Sequence, residues 1–171
     1  VTYSEDFSNA YWTKAGSSVV SGFTSPDGGL NAFKLVEDTS VGRHTVFRNI
    51  TTSSLINSVS VFFKKDTRRY ASIVTSDTTT WNTMVVVDLE LGTITKEFSE
   101  SSFSAVNSIE NYGNGWYRVT SSVSGTMAGN AFYARFGVQD TGIPSNPPSN
   151  TYTGDGTSGV YIWGAQLEQN S

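Results

Sequence analysis

The chain of 171 residues carries 11 Lys and Arg against 15 Asp and Glu, a net charge of −4, with 10 Phe, 8 Tyr, 4 Trp and no cysteine. That length fits one domain with a full core, expected over residues 1–171, and is short for two. With no cysteine there is no disulfide framework or thiolate chemistry, and with no basic stripe to release counterions a nucleic-acid partner is excluded.

In chain order, residues 1–7 read as a short strand, followed by a loop that delivers Tyr11 and Trp12. Ser17 to Phe23 reads as a second strand, closed by the turn Ser25-Pro-Asp-Gly-Gly29, where Pro presets φ and Gly permits φ > 0. Further strands are predicted over 32–36, 43–50 and 59–65, the last with Val59, Val61 and Phe63 on one face by the period of two. Residues 70–75 place Ala71, Ile73 and Thr75 on one face and Tyr70, Ser72 and Val74 on the other. A polar loop from Ser76 to Thr83 carries Trp81, and a strand over 84–89 runs into a turn at Leu91-Gly-Thr. Residues 106–110 and 116–123 form a hairpin about Asn111-Tyr-Gly-Asn-Gly115, since Asn-Gly is the strongest short hairpin signal. Residues 131–138 alternate, with Phe132, Ala134, Phe136 and Val138 facing one way and Tyr133, Arg135 and Gly137 the other. A Pro/Asn/Ser loop over 141–152 precedes a final strand over 160–167. About ten short strands at this spacing, with no amphipathic helix, predict an all-β sandwich of two antiparallel sheets. The final strand is expected to pair with residues 1–7, bringing the termini together.

Four stretches carry a resemblance: Tyr3-Ser-Glu-Asp-Phe-Ser-Asn-Ala-Tyr-Trp12, Pro26-Asp-Gly with Phe33-Lys-Leu-Val-Glu-Asp38, Gly113-Asn-Gly-Trp-Tyr-Arg118 and Tyr152-Thr-Gly-Asp-Gly-Thr-Ser-Gly-Val-Tyr-Ile-Trp-Gly-Ala-Gln-Leu-Glu168. In their order and spacing the chain resembles a jelly-roll domain of phage tail-fibre and other virion proteins, and of some secreted bacterial proteins. The fold is also similar to that of carbohydrate-binding modules, with two antiparallel sheets and often a structural calcium. The resemblance implies the jelly-roll fold and a surface-binding role but no particular ligand. The sequence departs from the pattern around Trp81 and at Ile143-Pro-Ser-Asn-Pro-Pro-Ser149, where this chain's own specificity is expected.

His44 is alone on a strand, no Gly-x-Ser-x-Gly elbow exists, and the acids fall mostly in or near turns, so no catalytic set is visible. No cofactor is indicated. A structural calcium would draw on Asp27, Glu5 or Asp6, and Gln166 or Glu168, but no contiguous Asp-x-Asp-x-Asp loop supports it. The favoured reading makes Asp27 and Asp155 turn formers that bond their own backbone.

A sugar site needs flat aromatic faces and planar polar groups. Tyr70, Arg118, Tyr133 and Arg135 each alternate with core residues and are expected on one solvent-accessible sheet face. Trp81 is either a further platform or a lid on the core. Equally weighted is the reading in which the arginines simply pair with neighbouring acids. Trp12, Trp116 and Trp163 read as core or edge packing. Low charge and abundant Ser, Thr, Gly and aromatics suit a virion-surface or extracellular protein. No signal-peptide pattern and no apolar run of the ~20 residues needed for a membrane helix is present. The expected function is non-catalytic recognition of cell-surface polysaccharide. The alternative is a structural or decoration module that contacts other virion proteins. Either suits a homo-oligomer, trimeric in a fibre.

Overall fold

The computed structural model describes residues 2–52, 55–145 and 147–170. Fourteen strands are assigned in chain order: β1 Thr13–Ala15, β2 Ser17–Phe23, β3 Ala32–Glu37, β4 Val41–Gly42, β5 His44–Thr51, β6 Ile56–Lys65, β7 Tyr70–Ser76, β8 Trp81–Asp88, β9 Thr93–Ser99, β10 Ser104–Gly113, β11 Trp116–Ser124, β12 Ala131–Gln139, β13 Tyr152–Thr153 and β14 Gly159–Asn170. One antiparallel sheet runs β1-β5-β12-β7-β8-β9 and the other β10-β11-β6-β14-β3-β2, while β4 and β13 form a two-stranded ribbon. The pairings are nested: β7 with β8, β6 with β11, β5 with β12 and β3 with β14. A long hairpin rolled into two sheets produces this nesting, and it makes the sandwich a jelly roll.

The period of two explains which side chains face inward. Val59, Val61 and Phe63 of β6 and Phe132, Ala134 and Phe136 of β12 meet in one buried cluster, with Ala71 and Ile73 of β7 beside them. Trp12 belongs to that cluster too, whereas Trp116 is buried in a smaller one with Ala32 and Phe62 on the outer side of the second sheet.

The N-terminal segment differs from its expected form. Residues 2–5 are turn, and Tyr3 has φ 56°. The ends of the chain do meet, among the described residues through a backbone bond in which Ala165 N–H donates to Ser4 O at 2.9 Å. Over residues 160–162 of β14 both edges are already taken, by β3 and β6, which leaves no place there for an N-terminal strand. Phe7 instead anchors the segment by its ring, fully buried against Trp12 at 5.0 Å between centroids.

The glycine-rich turn before β14 is locked to β3 by Glu37, whose side chain is fully buried. It accepts from Arg68 Nη2 at 2.6 Å and Nε at 3.0 Å, from the Tyr152 hydroxyl at 2.8 Å and from Asp155 N–H at 3.0 Å. Desolvation pushes the Glu37 carboxyl up, but these donors more than reverse it and hold it below the usual range. Asp155 itself caps the turn, accepting from the N–H groups of Thr157 and Ser158. Asp27 does the same, accepting from Gly29 N–H and Ser25 Oγ. Among the described residues no three His, Asp or Glu side chains are grouped to hold a metal ion. No helix among them is long and apolar enough to cross a membrane.

Candidate functional site

On the outer face of the first sheet, alternation along β12 turns Tyr133 and Arg135 away from the core. Phe47 of β5 sits directly across from Arg135, and Val74 of β7 flanks it on the other side. Trp81 joins them through an irregularity. Thr75 pairs with Thr83 but Ser76 pairs with Trp81, so β8 carries one extra residue, Asn82. Such a bulge re-aims its neighbours. Here Trp81 packs on the outward cluster of Val74, Met84 and Val86, while Asn82 is buried.

The wall of the site is the turn 77–80. Asp77 Oδ1 accepts from the N–H groups of Thr79 and Thr80 at 2.7 and 2.8 Å and from both hydroxyls. Its Oδ2 accepts from Ala128 N–H at 3.2 Å, tying the turn to the segment before β12. Burial pushes the Asp77 carboxyl up, and the backbone donors outweigh that and hold it low. The result is an open cleft of about 460 Å³ lined by Phe47, Trp81, Tyr133, Arg135 and residues 76–80, within the size range of ligand sites.

Two guanidiniums stand on these rings. Arg135 Cζ lies 4.1 Å from the Phe47 centroid, 5.0 Å from Trp81 and 5.2 Å from Tyr133. Arg43 Cζ lies 3.8 Å from the Trp81 centroid, and its Nη2 donates to Ser149 Oγ at 2.5 Å. Burial, with Arg43 nearby, lowers Arg135 to about 10, so it stays charged at neutral pH. Flat rings and fixed planar donors around one cleft can stack on an apolar face and bond a polar rim.

Of the five residues singled out from sequence, Trp81, Tyr133 and Arg135 come together. Tyr70 shares their face but lies at the far end of β7, across from Gln139 and Asp88. There the segment after β12 covers it: a Cβ at Gly142 would come 2.7 Å from its ring. Tyr70 is packing at that end of the sheet and lies outside the cleft. Arg118 is not on this sheet at all. Its strand β11 pairs with β10 and β6, so Arg118 faces out from the opposite sheet. Alternation fixes which face a residue takes within its sheet, but only long-range pairing decides which sheet that is.

Neither Arg118 nor Arg135 pairs with an acid among the described residues. Arg118 Nη2 instead donates to Ser60 Oγ at 3.2 Å and Gln166 Oε1 at 3.1 Å. It lines a second, slightly smaller cleft of about 400 Å³ with Phe62, Tyr112, Trp163, Asp27 and Gln166. Trp163, read as packing from sequence, is half-buried there, 5.2 Å from Phe62 between centroids. Phe47 and Arg43 were missed, although Arg43, just before β5, has the same parity as Phe47 within it. The Asp77 cap was missed because 76–83 reads as an undivided polar loop.

No family model matches the chain, and no curated protein matches it at a significant level. Among solved structures it is similar to the enzymatically active domain of tailspike protein 4 of bacteriophage CBA120, at 16% identity and a TM-score of 0.51. That match covers 99% of this chain and 21% of the tailspike's, so the chain spans about a fifth of its length. It is also similar to the carbohydrate-binding module TmCBM61, solved in complex with β-1,4-galactotriose, at 11% identity and a TM-score of 0.41. Here the match covers 94% of this chain and 90% of the other. At 16% identity the likeness to the tailspike domain shows the fold, a β-sandwich, and nothing finer.

Proposed function

We propose that this is a single-domain, non-catalytic recognition module of a phage particle or secreted protein, and that cell-surface polysaccharide docks in the cleft of Phe47, Trp81, Tyr133 and Arg135. The observation that carries this reading is the convergence of three aromatic rings and a guanidinium on one open cleft with a rigid wall. Asp77, the acid lining the cleft, has both oxygens engaged by backbone N–H groups. That suits a structural cap and leaves it unsuited to general acid–base work. Occurrence of the same fold within a phage tailspike supports the virion setting, where further virion proteins and copies of the same chain are the expected partners.

A glycan-array screen followed by calorimetric titration tests the reading. Stacking on a ring contributes ~1 kcal/mol beyond its area, so Tyr133→Ala should weaken binding about five- to tenfold with an unchanged melt. Trp81→Ala should cost more, because that ring also supports both arginines. Trp163→Ala, on the opposite sheet, should leave affinity unchanged. If Trp163→Ala alone abolishes binding, the site is the cleft around Arg118. If no glycan binds, the alternative of a virion protein-contact module stands, to be tested by capture of virion proteins.

A further inference from the structure

Two of the protein's partly buried guanidiniums are neutralised by carboxylates. Arg68 makes a two-pronged contact with Glu37, and Arg69 does so with Asp88 at 2.8 and 2.6 Å. Arg48 and Arg118 have no such partner among the described residues, and at Trp81 two guanidiniums of that kind fall together. Neither Arg43 nor Arg135 has a carboxylate within ion-pair distance among the described residues, and the Nε of each is buried without a hydrogen-bond partner. Both guanidiniums stand over the same Trp81 ring. Two like charges beside one ring, in a chain whose acids outnumber its basic residues 15 to 11, repel each other, and the aromatic faces and the Ser149 hydroxyl offset their desolvation less than a carboxylate would. The acid that lines the cleft beside Arg135, Asp77, is turned into its own loop.

We infer that the cleft selects a carboxylated sugar, a uronic or ulosonic acid residue of the polysaccharide, whose carboxylate completes the Arg43–Arg135 pair while its ring stacks on Tyr133 or Trp81. This rests on the glycan-binding reading above and adds the chemical class. A carboxylate matches the planar donor fork of a guanidinium, which favours it over a neutral hydroxyl. The lowered basicity of Arg135 agrees with a cation placed without its counter-charge.

The test is titration of the intact domain with oligogalacturonate, oligomannuronate and oligosialic acid, each beside its carboxyl-reduced counterpart, with sulfated dextran as a polyanion control. At least one acidic oligomer should bind about tenfold or more tightly than its reduced form, and that margin should shrink as salt rises. Arg135→Gln should bring the acidic oligomer down to the affinity of the reduced one. Tyr133→Ala should instead weaken both forms alike. The comparison of acidic and reduced oligomers needs no variant, so a misfolded Arg135→Gln protein leaves the test intact. Equal affinity for acidic and reduced forms, or equal binding of sulfated dextran, overturns the inference. Binding confined to neutral glycans on the array overturns it while leaving glycan recognition standing. Absence of binding to every glycan overturns both.

Discussion

Glu37→Ala is expected to lower the unfolding free energy by about 3 kcal/mol, within the 3–5 kcal/mol seen when one partner of a buried ion pair is removed. The estimate sits at the low end because Arg68 is 26% exposed and can turn part of its charge to water. The Tyr152 hydroxyl falls back on Val138 O at 3.4 Å, Asp155 N–H loses its acceptor, and the turn leading into β14 loses a side-chain tie to β3. Denaturant unfolding measures the change directly. A loss under about 1 kcal/mol would mean that the turn holds without its carboxylate.

The same residue sets a pH signature. Because the Glu37 carboxyl is held below its ordinary range in the fold, its contribution is fully present above the unfolded pKa. It is lost as pH falls through the folded value, hence below about 4. The stability difference between the native protein and Glu37→Gln should therefore be largest near neutral pH and shrink on acidification. A difference that stays constant from pH 7 down to 3 would remove Glu37 from the acid response.

The strands with strict alternation were legible because burial of one face leaves a local imprint. The predicted range 17–23 coincides with β2, and 131–138 falls one residue short of β12. β9 was invisible for the opposite reason. It is an edge strand, paired only with β8 and only partly buried, so Thr93-Ile-Thr-Lys-Glu-Phe-Ser99 has little apolar pattern to read. Trp81 was placed in a loop because nothing in Asp77-Thr-Thr-Thr80 marks where the loop ends. The Asp77 cap closes it within four residues, and β8 starts at once. Half the candidate cleft was legible from parity alone, since Tyr133 and Arg135 must face away from Phe132, Ala134 and Phe136. That Phe47 and Trp81 stand beside them depends on β5 and β8 falling in one sheet with β12, which is a property of topology. Arg118 fell on the wrong side for the same reason.

Phe136→Ala is expected to cost about 3–5 kcal/mol, the range for emptying a buried phenylalanine site. Its ring is 1% exposed and meets Trp12, Phe7 and Phe63 at 5.9, 6.4 and 6.4 Å between centroids, so it joins both sheets and the N-terminal anchor. Aromatic neighbours are stiff, and little collapse into the void is available to reduce the loss. For a chain of this size the melt should fall by roughly 10 °C, with the denaturant slope unchanged if unfolding stays two-state. Phe136 is also adjacent in sequence to Arg135, which faces the cleft from the other side of the same strand. Arg135 is positioned by the ladder of β12 with Phe47 and Val74 on either side, and deleting a side chain on the inner face leaves those pairings in place. At a temperature where the variant remains folded, its affinity for a bound glycan should stay within about twofold of the parent. Tyr133→Ala should show the converse, weaker binding at full stability. If folded Phe136→Ala protein loses binding as strongly as Tyr133→Ala does, inner-face packing sets the geometry of the cleft, and the ladder alone is not enough to hold Arg135 in place.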